Sequence, residues 1–516
     1  MAKINLDALI QREDFEVQDT VSAATKKDTI SIGDLVLDSF TFPNLRKPDF
    51  QRETSEWDGK KIAEFLESFL DGDLIPAVIL WKSLSGYLFV IDGSHRLSSL
   101  VSWINDDYGD GTISKKFYDG IISEDQISTA ERARAYIRKK IGSYQDFKLA
   151  LTNPEKVGPG IIPRAKNLSA LAIKLQWVEG GADKAEVSFF KINRQAAPIN
   201  PTELTLLESR KKPNCIAARA IIRSGKGHKY WSSFPNEKQE KIQVLATEIN
   251  SVLFAPPLRT PLKTLDIPIA GKVYSAQALS LILDFVNITN EISPDFKETL
   301  SDDTTGDETI KFLEKARKIA WRINSVHASS LGLHPIVYFY SLDGRHKVAS
   351  FYATLAFVME LEKKNSFGDF ISVRPSFEEF LPKYDYLIQQ IFRKYRSATN
   401  SYPHIKDFYF AVIDGLKKSE SSEKVVESLL NKDKYKYLSL LSGQTEVTSD
   451  EFTVDRKSAV YIKDAISSAP KCKICNGYIH TNSITIDHKI RKQDGGKGAI
   501  ENGQIAHPYC NTTLKN

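Results

Sequence analysis

The sequence predicts an α+β protein with three parts. The N-terminal third combines an amphipathic helix with two apolar runs of strand length, and a mainly helical middle region follows. The tail carries two pairs of cysteine and histidine residues around a short intervening segment. A length of 516 residues is enough for about three domains. We expect these domains at residues 28–210, 212–445 and 461–516.

The predicted N-terminal elements follow from apolar spacing. Residues 61–70 place apolar side chains at i, i+3, i+4, i+7 and i+8, which predicts an amphipathic helix that Asp71-Gly72 ends. Residues 76–81 and 87–91 are apolar runs separated by a Ser/Gly turn, which predicts two strands.

A polar cluster lies where the second strand meets the next helix, at Asp92-Gly93-Ser94-His95-Arg96. A glycine turn at such a junction places backbone N–H groups where a phosphate can bind. Arg96 has the fork geometry for phosphate oxygens, and Asp92 or His95 suits a metal or a water. Asp-Gly is also a common turn and a junction arginine is often an ion-pair partner, so both interpretations stay open.

The middle region shows helical periodicity, for example over residues 348–364, 377–396 and 405–417. It contains no phosphate loop, repeat or low-complexity run. Residues 343–346 repeat the Asp-Gly and His/Arg character of the first junction, and we interpret them as a turn. The region is predicted to be a helical spacer that relays a state to the tail, with a loop at residues 443–452 before the last module.

The two pairs in the tail have the spacing of a zinc knuckle. They are Cys472-x2-Cys475 and His507-x2-Cys510, and they contain three of the four cysteines in the chain. The first pair alone would also fit a redox motif, but a second ligand pair follows it. We therefore predict a structural zinc site at Cys472, Cys475, His507 and Cys510.

Asp487-His488 lies between the two pairs, and a closed zinc site does not need these residues. A carboxylate oxygen beside an imidazole suits Mg²⁺-assisted phosphodiester hydrolysis. Taken alone, His488 would fit an exposed histidine on a basic segment, and Asn511 would fit a helix cap.

In order, these residues resemble the HNH endonuclease family, whose pattern runs Cys-x2-Cys, Asp-His, Gly-Gly, Asn, Cys-x2-Cys-Asn. Here the Gly-Gly is Gly495-Gly496, and His507 takes the place of the third cysteine, as zinc chemistry permits. The resemblance implies a small ββα-metal zinc nuclease module.

The same resemblance implies catalytic roles. His488 would be the general base that takes a proton from the attacking water. Asp487 and Asn511 would hold Mg²⁺ or another divalent cation, and Asn502 would orient the catalytic loop.

The N-terminal third is similar to the ParB/sulfiredoxin-like nucleotidase domains of prokaryotic defence proteins. The matching features are Phe50-Gln51-Arg52, Trp57, Pro76, the junction from Asp92 to Leu97, and the segment from Phe189 through Asn193 to Pro198 and Glu203. Ser94 stands where the family has a glutamine. The resemblance implies a nucleotide-binding or sensor pocket lined by Gln51, Arg52, Asp92, Gly93, His95, Arg96 and Asn193, with a nucleoside triphosphate as its candidate ligand.

GmrSD-type and SspE-type restriction systems couple such a domain to an HNH nuclease in the same order. The resemblance therefore implies an antiphage restriction endonuclease that acts on double-stranded phage DNA. It also implies control by nucleotide or by a DNA modification.

Composition sets looser bounds on partners and location. Hydrophobic content of 41%, charged content of 26% and a net charge of +5 are typical of a globular protein and argue against a nonspecific nucleic-acid coat. Four cysteines in so long a chain indicate a reducing compartment. The sequence shows no signal-like start and no membrane-length apolar run, so we expect a cytoplasmic protein without a membrane partner, and an oligomer is compatible with it.

We interpret the chain as a metal-dependent DNA endonuclease controlled by its N-terminal domain. Two other functions stay open. In the first alternative, the chain is a nucleotide-switched DNA-binding regulator with an inert zinc module. In the second, it is an NTPase whose tail docks it on DNA.

Overall fold

A computed structural model describes the chain at residues 2–13, 26–48, 51, 54–118, 120, 122, 124–196, 201–226, 229–272, 278–293, 295–418, 420–440 and 451–514. At residues 125, 183, 190, 193–196, 201, 203 and 207 the description covers the backbone only. The chain forms two compact units. The first is Met1–Arg210 with Lys226–Tyr230, and the second is Lys211–Gly225 with Trp231–Asn516.

The first unit contains a mixed sheet. Among the described residues it has six strands in the order β1-β3-β5-β4-β6-β2. The strands are β1 (Arg12–Glu13), β2 (Thr29–Ser31), β3 (Leu45–Pro48), β4 (Val78–Lys82), β5 (Leu88–Asp92) and β6 (Ala172–Trp177). Strand β5 pairs parallel with β3 and antiparallel with β4, so it lies in the interior of the sheet.

The helices of this unit are α1 (Gly59–Asp71), α2 (Ser94–Asn105), α3 (Thr112–Phe117), α4 (Glu124–Lys140), α5 (Tyr144–Thr152), α6 (Ile161–Asn167), α7 (Ala182–Ala196) and α8 (Pro201–Glu208). Alternation along β5 divides its side chains between two cores. Val90 faces the larger core, which includes α1 and α2, whereas Phe89 and Ile91 pack with Phe189 of α7. The central strands are thus covered on both faces, as their continuous apolar runs require.

The second unit is mainly helical up to its C-terminal module. Its helices are α9 (Pro213–Ile222), α10 (Asn236–Phe254), α11 (Ala278–Thr289), α12 (Phe296–Thr299), α13 (Asp307–Ile323), α14 (Pro335–Tyr338), α15 (Val348–Lys363), α16 (Phe367–Lys383), α17 (Asp385–Tyr395), α18 (Ala398–Lys417), α19 (Ser422–Leu430) and α20 (Val454–Ser467). The module after α20 contains the antiparallel strands β7 (Thr485–His488) and β8 (Gly503–Ala506), followed by a π-helical turn at Cys510–Leu514. The predicted α+β class, with a helical middle and a small metal-binding hairpin module, is confirmed.

The helix predicted over residues 377–396 is interrupted. Helix α16 ends at Lys383, and α17 begins at Asp385 after Tyr384 departs from helical dihedrals. The Asp385 carboxylate accepts hydrogen bonds from Lys347 at 2.6 Å and from Gln389 at 2.8 Å, which favours a new helix start at this buried residue. Residues 341–347 form a turn region, as predicted, and Arg345 pairs there with Asp455. The loop predicted at residues 443–452 lies largely outside the described residues.

No helix among the described residues is both long and apolar enough to span a bilayer.

Candidate active site

The four ligand-type side chains predicted in the tail come together in one buried cluster. Donor atoms of Cys472, Cys475, His507 and Cys510 all lie within 4.8 Å of one another. Nδ1 of His507 is 3.3 Å from Sγ of Cys475 and 3.8 Å from Sγ of Cys510. Burial of all four side chains removes competing water from the cluster.

The histidine in this cluster has the tautomer that a metal ligand needs. Nε2 of His507 lies 2.9 Å from the carbonyl oxygen of Tyr478, which only accepts, so Nε2 carries the proton and donates. Nδ1 therefore presents its lone pair to the thiols. Burial and the nearby Arg374 guanidinium lower the pKa of His507, so the imidazole is neutral. Three thiols and one neutral imidazole form a closed structural zinc set, and these residues fit zinc.

A tight turn explains why the first ligand pair can reach one ion. The backbone N–H of Cys472 donates to the Gly477 carbonyl at 2.9 Å, and that of Asn476 donates to the Cys472 carbonyl at 2.9 Å. Asn476 has a φ of +55°, a left-handed conformation that asparagine tolerates better than most residues. The turn folds residues 472–477 into the predicted knuckle.

The β7–β8 hairpin positions Asp487 and His488. Asp487 lies opposite Gln504 and His488 opposite Gly503. Nε2 of Gln504 donates to Oδ2 of Asp487 at 2.7 Å, and Asp487 is 6% exposed. Successive side chains of a strand point to opposite faces, so His488 shares the outer face of β7 with Ile486, which is 64% exposed.

Asn511 is attached to the same strand from the C-terminal turn. Its backbone N–H donates to the His507 carbonyl at 2.9 Å, which links it to the zinc cluster. Its Nδ2 donates to Oγ1 of Thr485 at 3.2 Å and to the Ile486 carbonyl at 3.4 Å. Thr485 is two residues from Asp487 and therefore on the same face of β7. The amide nitrogen is used by the strand, so the amide oxygen is the ligand-type atom that remains for a cation.

One asparagine fastens the loop between the two strands. Oδ1 of Asn502 accepts from the Ile490 N–H at 2.7 Å, and its Nδ2 donates to the carbonyls of Ile490 at 3.1 Å and Lys497 at 2.8 Å. Gly496 lies inside this loop, and a Cβ atom there would be 1.9 Å from the Ile490 carbonyl oxygen. Gly496 is thus needed because the loop backbone folds directly onto itself.

In the first unit, β5 ends at Asp92 and Gly93 turns the chain into α2. Gly93 has a φ of +97°, and a Cβ there would be 2.7 Å from Cγ2 of Val78, so both conformation and space require glycine. Nη2 of Arg96 donates to Oδ2 of Asp92 at 2.8 Å and to the Ala77 carbonyl at 3.1 Å. Nε of Arg96 is buried without a partner among the described residues. The ion pair with Asp92 therefore uses Nη2 of Arg96 and does not involve its Nε.

His95 faces the segment that precedes α1. Its ring stacks on Trp57 with centroids 5.6 Å apart, and its Nε2 accepts from the Glu56 N–H at 3.4 Å. The structure thus brings Trp57, one of the matching residues, to the junction.

The remaining predicted pocket residues are described only in part. Gln51 is 5% exposed, and its Oε1 is buried without a partner among the described residues. Its backbone carbonyl accepts from Arg12. Arg52 lies outside the described residues, and of Asn193 only the backbone, in α7, is described.

Comparison with protein-family models gives two matches. Residues 32–207 match the GmrSD restriction endonuclease, N-terminal domain. Residues 472–516 match the HNH endonuclease family. The chain has the domain arrangement of GmrSD-type restriction endonucleases. No curated protein and no solved structure matched it.

The chain is accordingly a DNA endonuclease, and the predicted order of restriction domain and HNH module is confirmed. Sequence reasoning missed several residues around its nuclease module. Gln504 and Thr485 could have been found from the register of a β7–β8 hairpin. Arg374 and Glu378 of α16 also contact the module, and they carried no local signal because their partners lie far away in the sequence.

Proposed function

We propose that the HNH module cuts DNA with a water activated by His488 and with a divalent cation held by Asp487 and Asn511. The observation that carries this proposal is the attachment of all three residues to one short strand, β7. Asp487 and His488 are consecutive in the strand. The Asn511 side-chain amide is hydrogen-bonded to Thr485 and Ile486, the two strand residues that precede Asp487. A carboxylate and an amide oxygen are ligands that Mg²⁺ accepts.

The residues divide the chemistry among them. His488 takes the proton from the attacking water as general base. Gln504 holds the Asp487 carboxylate through its hydrogen bond to Oδ2. Asn502 acts as a positioning residue, since it fastens the loop that leaves β7 directly after His488. A bound divalent cation would stabilise charge on the scissile phosphate and on the leaving oxygen.

The surroundings of His488 suit a DNA backbone. Lys489, Lys492 and Lys497 are exposed on the same loop, where they can neutralise phosphates. His488 lies on the outer face of the hairpin, from which a duplex can approach. The zinc cluster takes a structural part in this proposal, because it connects Asn511 through His507 to the knuckle.

For the first unit we propose a sensor that controls cutting, with a nucleoside triphosphate or modified phage DNA as its ligand. Its site would include Gln51, Arg52, Asp92, Gly93, His95, Arg96 and Asn193. Two observations support it: the buried, unpartnered Oε1 of Gln51 and the unpartnered Nε of Arg96, each among the described residues. Buried polar atoms without partners are rare in native proteins, so a ligand that satisfies them explains their presence.

The test is cleavage of modified and unmodified phage DNA with Mg²⁺, with and without nucleoside triphosphates. His488→Ala is expected to lower the single-turnover rate by about 10²- to 10⁴-fold, the usual contribution of a general base. His404→Ala is the matched control, because it removes a histidine from α18, where the ring stacks on Tyr395. Dependence of the rate on nucleotide or modification, lost in Asp92→Ala, would assign the sensor role.

Two results would contradict this proposal. If the intact chain binds zinc and DNA but cuts no DNA under any condition, the chain acts as a DNA-binding regulator. If cutting survives His488→Ala at an unchanged rate, another residue is the general base.

A further inference from the structure

One arginine of the helical region reaches the zinc cluster. Arg374 lies in α16, and its side chain is 0% exposed. Its Nε donates to Oε1 of Glu378 at 2.7 Å, Nη1 donates to the Leu331 carbonyl at 2.6 Å, and Nη2 donates to the Gly332 carbonyl at 3.1 Å. All three guanidinium nitrogens are therefore engaged, which fixes the plane of the group.

The same guanidinium contacts the zinc ligands and the knuckle. Nη1 is 3.2 Å from Nδ1 of His507, the atom that faces the thiols. A Cβ on Gly477 would lie 2.4 Å from Nε of Arg374, so the knuckle backbone rests directly on the guanidinium. Gly477 is thus required by this contact.

Glu378 attaches the next residue of the knuckle. Its Oε2 accepts from the Tyr478 N–H at 2.6 Å, and its Oε1 accepts from the Tyr338 hydroxyl at 3.0 Å. Tyr478 in turn accepts the Nε2–H of His507 through its carbonyl, at 2.9 Å. A continuous hydrogen-bond path therefore runs from α16 to a zinc ligand.

The net charge of the zinc centre explains why a cation lies beside it. A zinc ion bound by three thiolates and a neutral imidazole carries one net negative charge. A buried charge of this kind is costly without a nearby counter-charge. Arg374 is a buried cation at contact distance from the cluster, and its fork lets it serve Glu378 and the ligands together.

We propose that Arg374 and Glu378 are positioning residues of the zinc centre, supplied by the helical region. Arg374 provides the counter-charge for the zinc–thiolate centre, and Glu378 fixes the knuckle at Tyr478. This inference rests on the zinc ligand cluster and does not depend on the proposed function.

The test compares zinc affinity of the full chain and its variants by chelator competition. In Arg374→Gln/Glu378→Gln both members of the ion pair are neutralised together, so neither of them is left buried as a charge without the other. We expect its zinc affinity to fall by about 10- to 100-fold, as for other residues that orient metal ligands. Arg374→Lys keeps the charge but loses the fork, so its zinc affinity is expected to fall by less than about tenfold, and by less than that of the double variant.

A spectroscopic measurement separates counter-charge from general scaffolding. With Co²⁺ in place of zinc, loss of the adjacent cation raises the energy of the thiolate electrons. The thiolate-to-cobalt charge-transfer band is therefore expected to move to longer wavelength in the double variant and to stay in place in Arg374→Lys. Lys347→Gln/Asp385→Asn removes another buried ion pair of the helical region and controls for loss of such a pair.

Native zinc affinity and an unshifted cobalt band in a folded double variant would overturn the proposal. If the double variant does not reach native helix content, Arg374→Lys decides: a fall in zinc affinity of tenfold or more despite the retained charge overturns the counter-charge role, and a smaller fall supports it. Zinc affinity is measured without DNA. A chain that binds zinc as expected but cuts no DNA would therefore refute the proposed function and leave this inference standing.

Discussion

Replacing Asn502 with alanine tests whether one side chain holds the catalytic loop in its active form. The substitution removes three hydrogen bonds, two to the backbone of Ile490 and one to the Lys497 carbonyl. The backbone bond from Lys489 N–H to the Asn502 carbonyl, at 2.7 Å, is retained. Strands β7 and β8 should therefore stay paired while the loop beyond them is released.

The expected size of the effect follows from those bonds. A hydrogen bond contributes about 0.5–1.5 kcal/mol net, and an exposed loop belongs near the lower end of that range. Three such bonds favour the held loop by about 1.5–3 kcal/mol, which corresponds to a factor of roughly 10 to 150 in its population. We expect the single-turnover cleavage rate of Asn502→Ala to fall by a similar factor.

The assay is DNA cleavage with enzyme in excess, together with zinc content and melting temperature. Asn482→Ala is the control, since it removes one hydrogen bond, to the Ala255 carbonyl at 3.0 Å, from a position outside the loop. Asn502→Asp should be at least as damaging as alanine, because its second oxygen would face two carbonyls that now accept N–H bonds. A rate within threefold of native for either Asn502 variant would refute this account of the loop.

Three further predictions use other features of the structure. Gly496→Ala should lower cleavage at least tenfold, because its Cβ would overlap the Ile490 carbonyl oxygen; Gly498→Ala, whose Cβ meets nothing within 4 Å, should cleave like the native chain. Removing zinc with a chelator should release about one ion per chain, measured by atomic emission, and lower the melting temperature of the second unit; retention of the native melting temperature would argue against a structural metal. Burial, opposed by the Tyr352 hydrogen bond, raises the pKa of Asp284. This group therefore stabilises the fold fully below its unfolded pKa, and the contribution is lost as pH rises through the folded pKa. Thermal melts across the acid range should show Asp284→Asn gaining stability over the native chain as pH rises, and a constant difference would contradict this.

Local patterns predicted the elements that bear the motifs. Apolar spacing over residues 61–70 found α1, which spans Gly59–Asp71, because one stripe of the helix packs on the core. The strand before the Asp92 junction was likewise predicted, since it is apolar on both faces. The zinc ligands were recognisable because paired spacing reflects a turn of fixed length.

Features that depend on distant contacts could not be predicted in this way. The parallel pairing of β1 with β3 and of β4 with β6 joins strands separated by long stretches of chain. The break at Tyr384 was missed because the periodicity of residues 377–396 continues through it. Arg374 looks in the sequence like an ordinary helix arginine, and only the folded unit shows that it lies against His507.

The attachment of the zinc knuckle to α16 also bears on how this nuclease can be transplanted. A fragment covering residues 461–516 alone would leave behind Arg374 and Glu378, and with them the partners of Gly477 and Tyr478. It would also lose the hydrogen bonds that Ser330 makes to Ser483, at 3.0 Å, and to the Tyr509 N–H, at 3.0 Å. We expect the nuclease module to fold and cut in another protein only when the helical region that contains α16 is included in the same fragment.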